Sequence, residues 1–292
     1  MVPVIMIALV ACATKPTTQD SIRALAGCSL SVSTPQPAIL PDGTRILMNA
    51  TGVAAQGDDL LVVGSPFFVI DRSGEGEPRD DAIGLMRNRA GELSIVPSPL
   101  PGRELRELRV LASRDGGWHA VFVTGVGKLG FYDSADIWYA HYDGRSWTEM
   151  QRIATARKAA VDLRYASNLV EADQGLSFAY VFDQSESPDT LHNGTARTGI
   201  VLLRKNGDLW LEDTLPTWEA PRSIQLSVYN GTLRAIFAQG YFVRPRRRGP
   251  ALFVADHEGI WKAPRLIYDP DPENSGAREY VSDVVVPNTK CD

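Results

Sequence analysis

The stretch that decides the fold runs from Leu108 to Ile153. Leu108-Arg109-Val110-Leu111-Ala112-Ser113 reads as a strand, Asp115-Gly116-Gly117 as a tight turn, and Trp118 to Thr124 as the returning strand. After a longer connection come Asp136 to Tyr142, a turn at Asp143-Gly144, and Ser146 to Ile153. β-Branched and aromatic residues favour the pleated backbone. Small polar residues followed by Gly supply the positive φ that hairpin turns require. The unit is four short antiparallel strands.

Outward from it, the same order recurs from Leu169, from Ile224 and, toward the N-terminus, from Val53. The turn glycines Gly57, Gly116, Gly175 and Gly231 are separated by 59, 59 and 56 residues, and one further step of 57 reaches Asn288. A second set of turns, at Asp42-Gly43, Ala90-Gly91, Asp143-Gly144, Asn206-Gly207 and Glu258-Gly259, is spaced by 48, 53, 63 and 52 residues. No segment carries a long helical period; Thr155 to Val161 is at most one short helix. Such repeats predict an all-β fold, a five-bladed β-propeller of four-stranded antiparallel blades. A β-sandwich is the alternative, and it gives no reason for the period.

Four blades are complete between Val53 and about Tyr268. What is left is Tyr280 to Pro287 at one end and Cys28 to Asn49 at the other. The last blade is therefore expected to be shared between N- and C-terminal strands. The C-terminus would give one strand; Ser29 to Ser33, Ala38 to Leu40 and Thr44 to Met48 would give the other three. That arrangement sets Cys291 beside Cys28, close enough for a disulfide. Two free thiols near the chain ends are the alternative.

The 292 residues are 44% hydrophobic and 22% charged, the balance of a folded globular chain. No apolar run approaches the roughly 18 residues of a membrane-spanning helix. A net charge of -5 argues against a nucleic-acid partner. Three cysteines are too few for a zinc module, and four histidines without paired spacing point to no metal site. Neither a phosphate-binding Gly-rich loop nor a nucleophile elbow is present, so no cofactor is implied.

Residues 2–11 form a charge-free apolar stretch of signal-peptide length, ending in Leu9-Val10-Ala11-Cys12. This end resembles the bacterial lipobox. The resemblance implies cleavage before Cys12, a diacylglycerol on its sulfur, and attachment to a membrane through that anchor. Residues 1–11 would be the signal peptide, 12–27 a tether and 28–292 the propeller domain. Ala13, where an Asp would hold such a protein at the inner membrane, favours the outer membrane of the cell envelope. The segment before the apolar run carries no Lys or Arg, unlike the family pattern. An ordinary secretory signal with a chance cysteine is the alternative.

Ile137-Trp138-Tyr139-Ala140-His141-Tyr142-Asp143-Gly144-Arg145-Ser146-Trp147 resembles a degenerate Asp-box hairpin of the sialidase-like (BNR) propellers. Leu202 to Trp210 and Phe253 to Trp261 are weaker echoes. The resemblance covers residues 28–292 and bears on fold, since such boxes are structural. Trp147, Trp210 and Trp261 are accordingly expected to pack the blades. Sialidases use a Tyr assisted by Glu, an Asp acid and three Arg. Tyr241, Glu186, Asp80 and loop arginines offer those residue types. The family's Arg-Ile-Pro motif is missing, since Arg45-Ile46 is followed by Leu47, so no catalytic residue carries over.

In a four-stranded meander the 1–2 and 3–4 turns share one rim, and the 2–3 loops share the other. Every short turn falls in the first class. The long stretches Pro66 to Asp81, Gly125 to Ala135, Asp183 to Thr198 and Gly240 to Pro250 fall in the second, and long connections commonly carry function. Binding is expected there. The candidates are Asp71, Arg72, Arg79 and Asp80; Tyr132 and Asp133; Asp183, Glu186, His192 and Arg197; and Tyr241, Arg244 and Arg246. Aromatic rings beside carboxylates and guanidinium groups suit a glycan, or a partner protein of the envelope. Solvated loop charges are the plain reading of any one of them. A divergent sialidase-like glycoside hydrolase and an envelope scaffold subunit are the alternatives.

Overall fold

The computed structural model describes residues 9–12, 28–31, 38–70, 76–128, 131–157, 160–162, 166–172, 175–183, 198–217, 221, 223–243 and 246–268. Among them there is no helix, and the strands form five antiparallel sheets. A two-stranded ribbon joins β1 (Leu9–Cys12) to β2 (Cys28–Ser31), with Cys12 opposite Cys28. The first broad sheet holds β3 (Ala38–Ile39), β4 (Arg45–Gln56), β5 (Asp59–Ile70), β6 (Gly76–Pro78), β7 (Ala82–Arg87) and β8 (Leu93–Pro97). The second is β9 (Arg106–Ala112), β10 (Trp118–Lys128), β11 (Phe131–Tyr142) and β12 (Trp147–Arg157). The third holds β13 (Ala160–Asp162), β14 (Val170–Ala172), β15 (Gly175–Asp183), β16 (Thr198–Asn206) and β17 (Leu209–Thr217). The fourth is β18 (Ser223–Tyr229), β19 (Thr232–Val243), β20 (Arg246–His257) and β21 (Arg265–Tyr268).

The core lies in the seams between these sheets. Along β10, Ala120 and Phe122 pack toward the first sheet, while Val121 and Val123 pack toward the third. Side chains alternate in a strand, so a blade buried on both faces needs apolar residues at consecutive positions. The run from Ala120 to Val123 is such a sequence. A third cluster, around Ala179, Ile200, Leu226 and Phe237, fills the next seam. The sequence period returns in space. Gln56 donates to the Ser113 carbonyl at 2.8 Å, the Arg114 amide donates to Glu171 at 3.3 Å, and Asn168 donates to the Leu226 carbonyl at 3.0 Å, over separations of 57, 57 and 58 residues. Each of these links joins one sheet to the next at or beside β4, β9, β14 and β18. The fold is a five-bladed β-propeller.

The expected Trp packing is present at three seams. Trp147 packs beside Tyr142 in the first seam and donates to the Pro97 carbonyl at 2.8 Å. Trp210 lies 5.4 Å from Tyr139, and Trp261 sits edge-on to His257 at 5.0 Å. Asp143 closes its turn by accepting from the Arg145 and Ser146 amides at 2.7 and 2.8 Å, and those bonds hold its carboxyl below the usual range.

Three local expectations are corrected. Among the described residues of 155–161 there is strand and no helix: β12 runs to Arg157, paired with Ser134, and β13 begins at Ala160. Residues 44–48 are not a strand of the terminal blade. From Arg45 they are the start of β4, with Leu47 and Met48 opposite Phe68 and Phe67 of β5. Ile46 and Met48 are buried with Phe67, Val62 and Leu85, and that packing carries the strand straight through Asn49-Ala50-Thr51-Gly52. The Asp42-Gly43 turn consequently lies on the rim opposite the other turns of its set, since Ile39 pairs Arg45 and Arg45 pairs Ile70. The C-terminal strand 280–287 and Cys291 lie outside the described residues.

Candidate functional site

The two rims differ in construction. At one, tight turns join β4 to β5, β9 to β10, β11 to β12 and β16 to β17, with positive φ at Gly57, Gly116, Gly117, Gly144 and Gly207. At the other, the stretches expected as loops are largely ladder. β10 and β11 stay paired out to Lys128 opposite Phe131, and β19 and β20 out to Val243 opposite Arg246. The first blade reaches out through β6, which pairs with the end of β5. The blades therefore carry hairpin arms, a correction to the loops at 66–81, 125–135 and 240–250. In the third blade Asp183 pairs Thr198, and the segment between them lies outside the described residues.

A β-bulge marks the base of three arms. Asp133 is the extra residue of the second arm, lying between Ser134, opposite Val126, and Tyr132, opposite Gly127. In the fourth blade Gly249 and Pro250 together face Gly240. In the first, Ser65 and Pro66 together face Asn49, and Thr51 is an extra residue on the other strand, so the two shifts cancel. A proline has no amide to give a ladder, and a bulge asks for none. Both Pro66 and Pro250 sit at such points.

Among the candidates whose side chains are described, Arg79 and Asp81 form a two-pronged ion pair at 2.6 and 2.7 Å. The Arg79 guanidinium bonded to it holds the Asp81 carboxyl below its ordinary value. Asp80 is exposed beside them. Tyr132 and Asp133 lie on β11, Asp183 at the end of β15, Tyr241 on β19 opposite Arg248, and Arg246 at the start of β20. Asp71, Arg72, Glu186, His192, Arg197 and Arg244 lie outside the described residues. The arms thus distribute the candidates over four blades, and Arg79 is bonded to Asp81 of its own segment.

Below the second arm stands a group that the sequence did not single out. Trp138, half-buried, donates through Nε1 to Thr124 Oγ1 at 3.0 Å. One step along the same face, Asp136 accepts from Thr155 Oγ1 at 2.7 Å and faces Arg152 at 3.8 Å. The indole packs partly against the core of the first seam, and its exposed part, beside a carboxylate, a guanidinium and hydroxyls, offers a sugar an apolar edge with donors and acceptors around it. The only signal for it was the alternation of polar Asp136 and Trp138 with buried Ala135, Ile137 and Tyr139. At the base of the fourth arm, Gln239 is 3% exposed and its Oε1 has no partner among the described residues. That is a polar atom whose burial costs free energy. Thr51 Oγ1, at the bulge of the first blade, is in the same condition.

No family model matches the chain, and no curated protein matches its sequence. Among solved structures, similarity is found to YCF48 bound to D1 peptide, at TM-score 0.39 and 16% identity, covering 80% of this chain and 56% of that one. An α-L-arabinofuranosidase from Lactobacillus brevis matches at TM-score 0.42 and 12% identity, over 73% of this chain and 72% of that one. An exo-1,5-α-L-arabinanase from a bovine ruminal metagenomic library matches at 0.39 and 9%, over 73% and 74%. Those activities are those proteins' own.

Proposed function

We propose that this protein is an exported, lipid-anchored propeller that binds a glycan on its arm rim. The observation that carries the reading is the asymmetry of the disc. One rim ends in minimal turns, while the other projects paired strands carrying tyrosines, arginines and aspartates. A ladder projecting from a blade holds side chains at fixed spacing, which suits recognition better than a mobile loop. The Trp138, Asp136 and Thr124 group adds an aromatic platform below the second arm. A glycan array probed with the purified protein tests the reading directly. Binding that falls at least tenfold in Trp138→Ala is expected. Binding only to envelope proteins would favour the scaffold alternative. Turnover of fluorogenic glycosides that is lost in Tyr241→Phe would replace both with a sialidase-like hydrolase.

The anchor belongs to the same proposal and rests on Leu9-Val10-Ala11-Cys12. In a bacterial host the wild-type protein should take up labelled fatty acid and sediment with membranes, and Cys12→Ala should do neither. Equal labelling removes the anchor. Cleavage before Cys12 would remove Leu9 to Ala11 of the strand that sets Cys12 opposite Cys28, and in the oxidising envelope Cys28 would then pair with Cys291. Non-reducing peptide mapping should find that crosslink, and free thiols at both positions would exclude it.

A further inference from the structure

At the turn rim, the seam between the second and third blades changes from apolar to ionisable. Its buried aliphatic body ends at Tyr139, and beyond it lie His119, His141, Glu149 and, from the third blade, Lys205. His119 Nδ1 is 3.0 Å from the Tyr139 hydroxyl, and after burial the nearby Glu149 carboxylate is the main influence raising the Tyr139 pKa. Lys205 Nζ is 3.2 Å from Glu149 Oε1 and 5.3 Å from the centre of the Tyr139 ring. The His141 ring lies 5.4 Å from that of His119 and is held by Gly116 O and Thr148 Oγ1 at 3.0 and 3.1 Å. Asp115 and the Arg114–Glu171 pair, at 3.8 Å, flank the group from the adjoining turn and from β14.

His119 and Tyr139 share one hydrogen bond on the second blade, and Lys205 of the third blade reaches across the seam to Glu149. In this arrangement a neutral His119 is fully compatible with its neighbours. A second proton would make His119 a cation beside Lys205 and the His141 ring, with Glu149 already paired to Lys205.

We propose that this chain is an acid-operated latch: protonation of His119 sets a cation beside Lys205 and the His141 ring, and the second and third blades part at the turn rim while the neighbouring seams stay shut. Burial first, then His141 and Lys205, hold the His119 pKa down to about 4, with Glu149 and Asp115 pulling the other way. In an opened seam the ring returns toward its ordinary 6.5. Between those values the open form binds a proton that the closed form does not. Opening therefore gains about tenfold per pH unit on acidification and levels off below the lower value.

Each of three seams contains a buried indole N–H with no hydrogen-bond partner among the described residues: Trp118 in the first, Trp210 in this one and Trp261 in the next. Their exchange with deuterium, followed by NMR on the whole protein and corrected for intrinsic pH dependence, reads each seam separately. Trp210 should lose protection about tenfold per unit between pH 6.5 and 4, while Trp118 and Trp261 stay level. His119→Gln, which can still donate to Tyr139 but does not titrate, should flatten the Trp210 profile. A slope retained in His119→Gln, or equal loss at all three indoles, overturns the latch. Should that variant fail to fold, the wild type decides: Trp210 protection that stays level between pH 6.5 and 4 overturns the latch, and loss at Trp210 alone upholds it.

Discussion

Asn168 takes both main-chain polar groups of Leu226, donating to its carbonyl at 3.0 Å and accepting from its amide at 2.8 Å. A side chain here does the pairing of a strand. The inner strand of the third blade is split into β13 and β14, and between them the Ser167 amide still donates to the Ala179 carbonyl at 2.8 Å. Ser167 adds a second substitution of this kind, since its Oγ accepts from the Ala179 amide at 2.8 Å.

Only a carboxamide offers a donor and an acceptor in this geometry. Asn168→Asp keeps the size but sets a carboxylate oxygen against the Leu226 carbonyl. It should cost about 1–3 kcal/mol in urea denaturation, and Asn168→Ala a similar amount. An unchanged midpoint in both would show that the seam does not depend on the bridge.

His257 is fully buried, with Nε2 2.8 Å from Asp213 Oδ2 of the preceding blade. Removing one partner strands the other. Asp213→Leu should therefore lower stability by about 1–3 kcal/mol, with Asp213 one-third exposed. Adding His257→Leu removes the orphan, so the double variant should be more stable than the sum of the two single losses. A double-mutant cycle by thermal melting measures this coupling, and strict additivity would deny it.

Two turn glycines should respond differently to a methyl group. At Gly57, with φ +59° and open space around it, Ala should cost about 1 kcal/mol. At Gly175, with φ +101°, a Cβ would run into the Lys205 carbonyl, and Ala should cost roughly 3 kcal/mol or more. Melting temperatures of the two variants give the comparison directly.

Asp256 is bonded to Arg234 at 2.6 Å, and that bond is the main cause holding its carboxyl below 3.8. A carboxyl lowered on folding stabilises above its unfolded value and loses that contribution as pH falls through its folded one. Stability should therefore fall on acidification below pH 3.8, and Asp256→Asn should flatten part of that slope. Denaturant midpoints between pH 5 and about 2 would show it. Identical slopes in both proteins would remove Asp256 from the acid response.

What could be read from the sequence was set by local chemistry. The Gly turns need positive φ wherever they fall, so they marked the turn rim correctly from Gly57 to Gly259. The spacing of Gly and Trp likewise marked the seam residues Trp147, Trp210 and Trp261. What could not be read depends on partners across the sheet. Asn49 to Gly52 has the composition of a turn, yet Ile46 and Met48 have Phe67 to pack on, and the strand continues. Pro66 and Pro250 look like strand ends because the sequence does not reveal that a bulge will absorb them. Trp138 and Asp136 meet Thr124 and Arg152 only once β10, β11 and β12 are in register.

The paired arms also govern how such a rim changes over generations. A segment that continues the ladder of strands two and three tolerates insertion or deletion in matched pairs, one residue on each side, without disturbing the blade beneath. A single unmatched residue would turn every later side chain to the opposite face, unless a bulge absorbs it, as at Asp133. Diversification of this rim is thus quantised, and foreign recognition sequences grafted beyond Val126 or Gln239 should keep the phase of their host only when they respect that step.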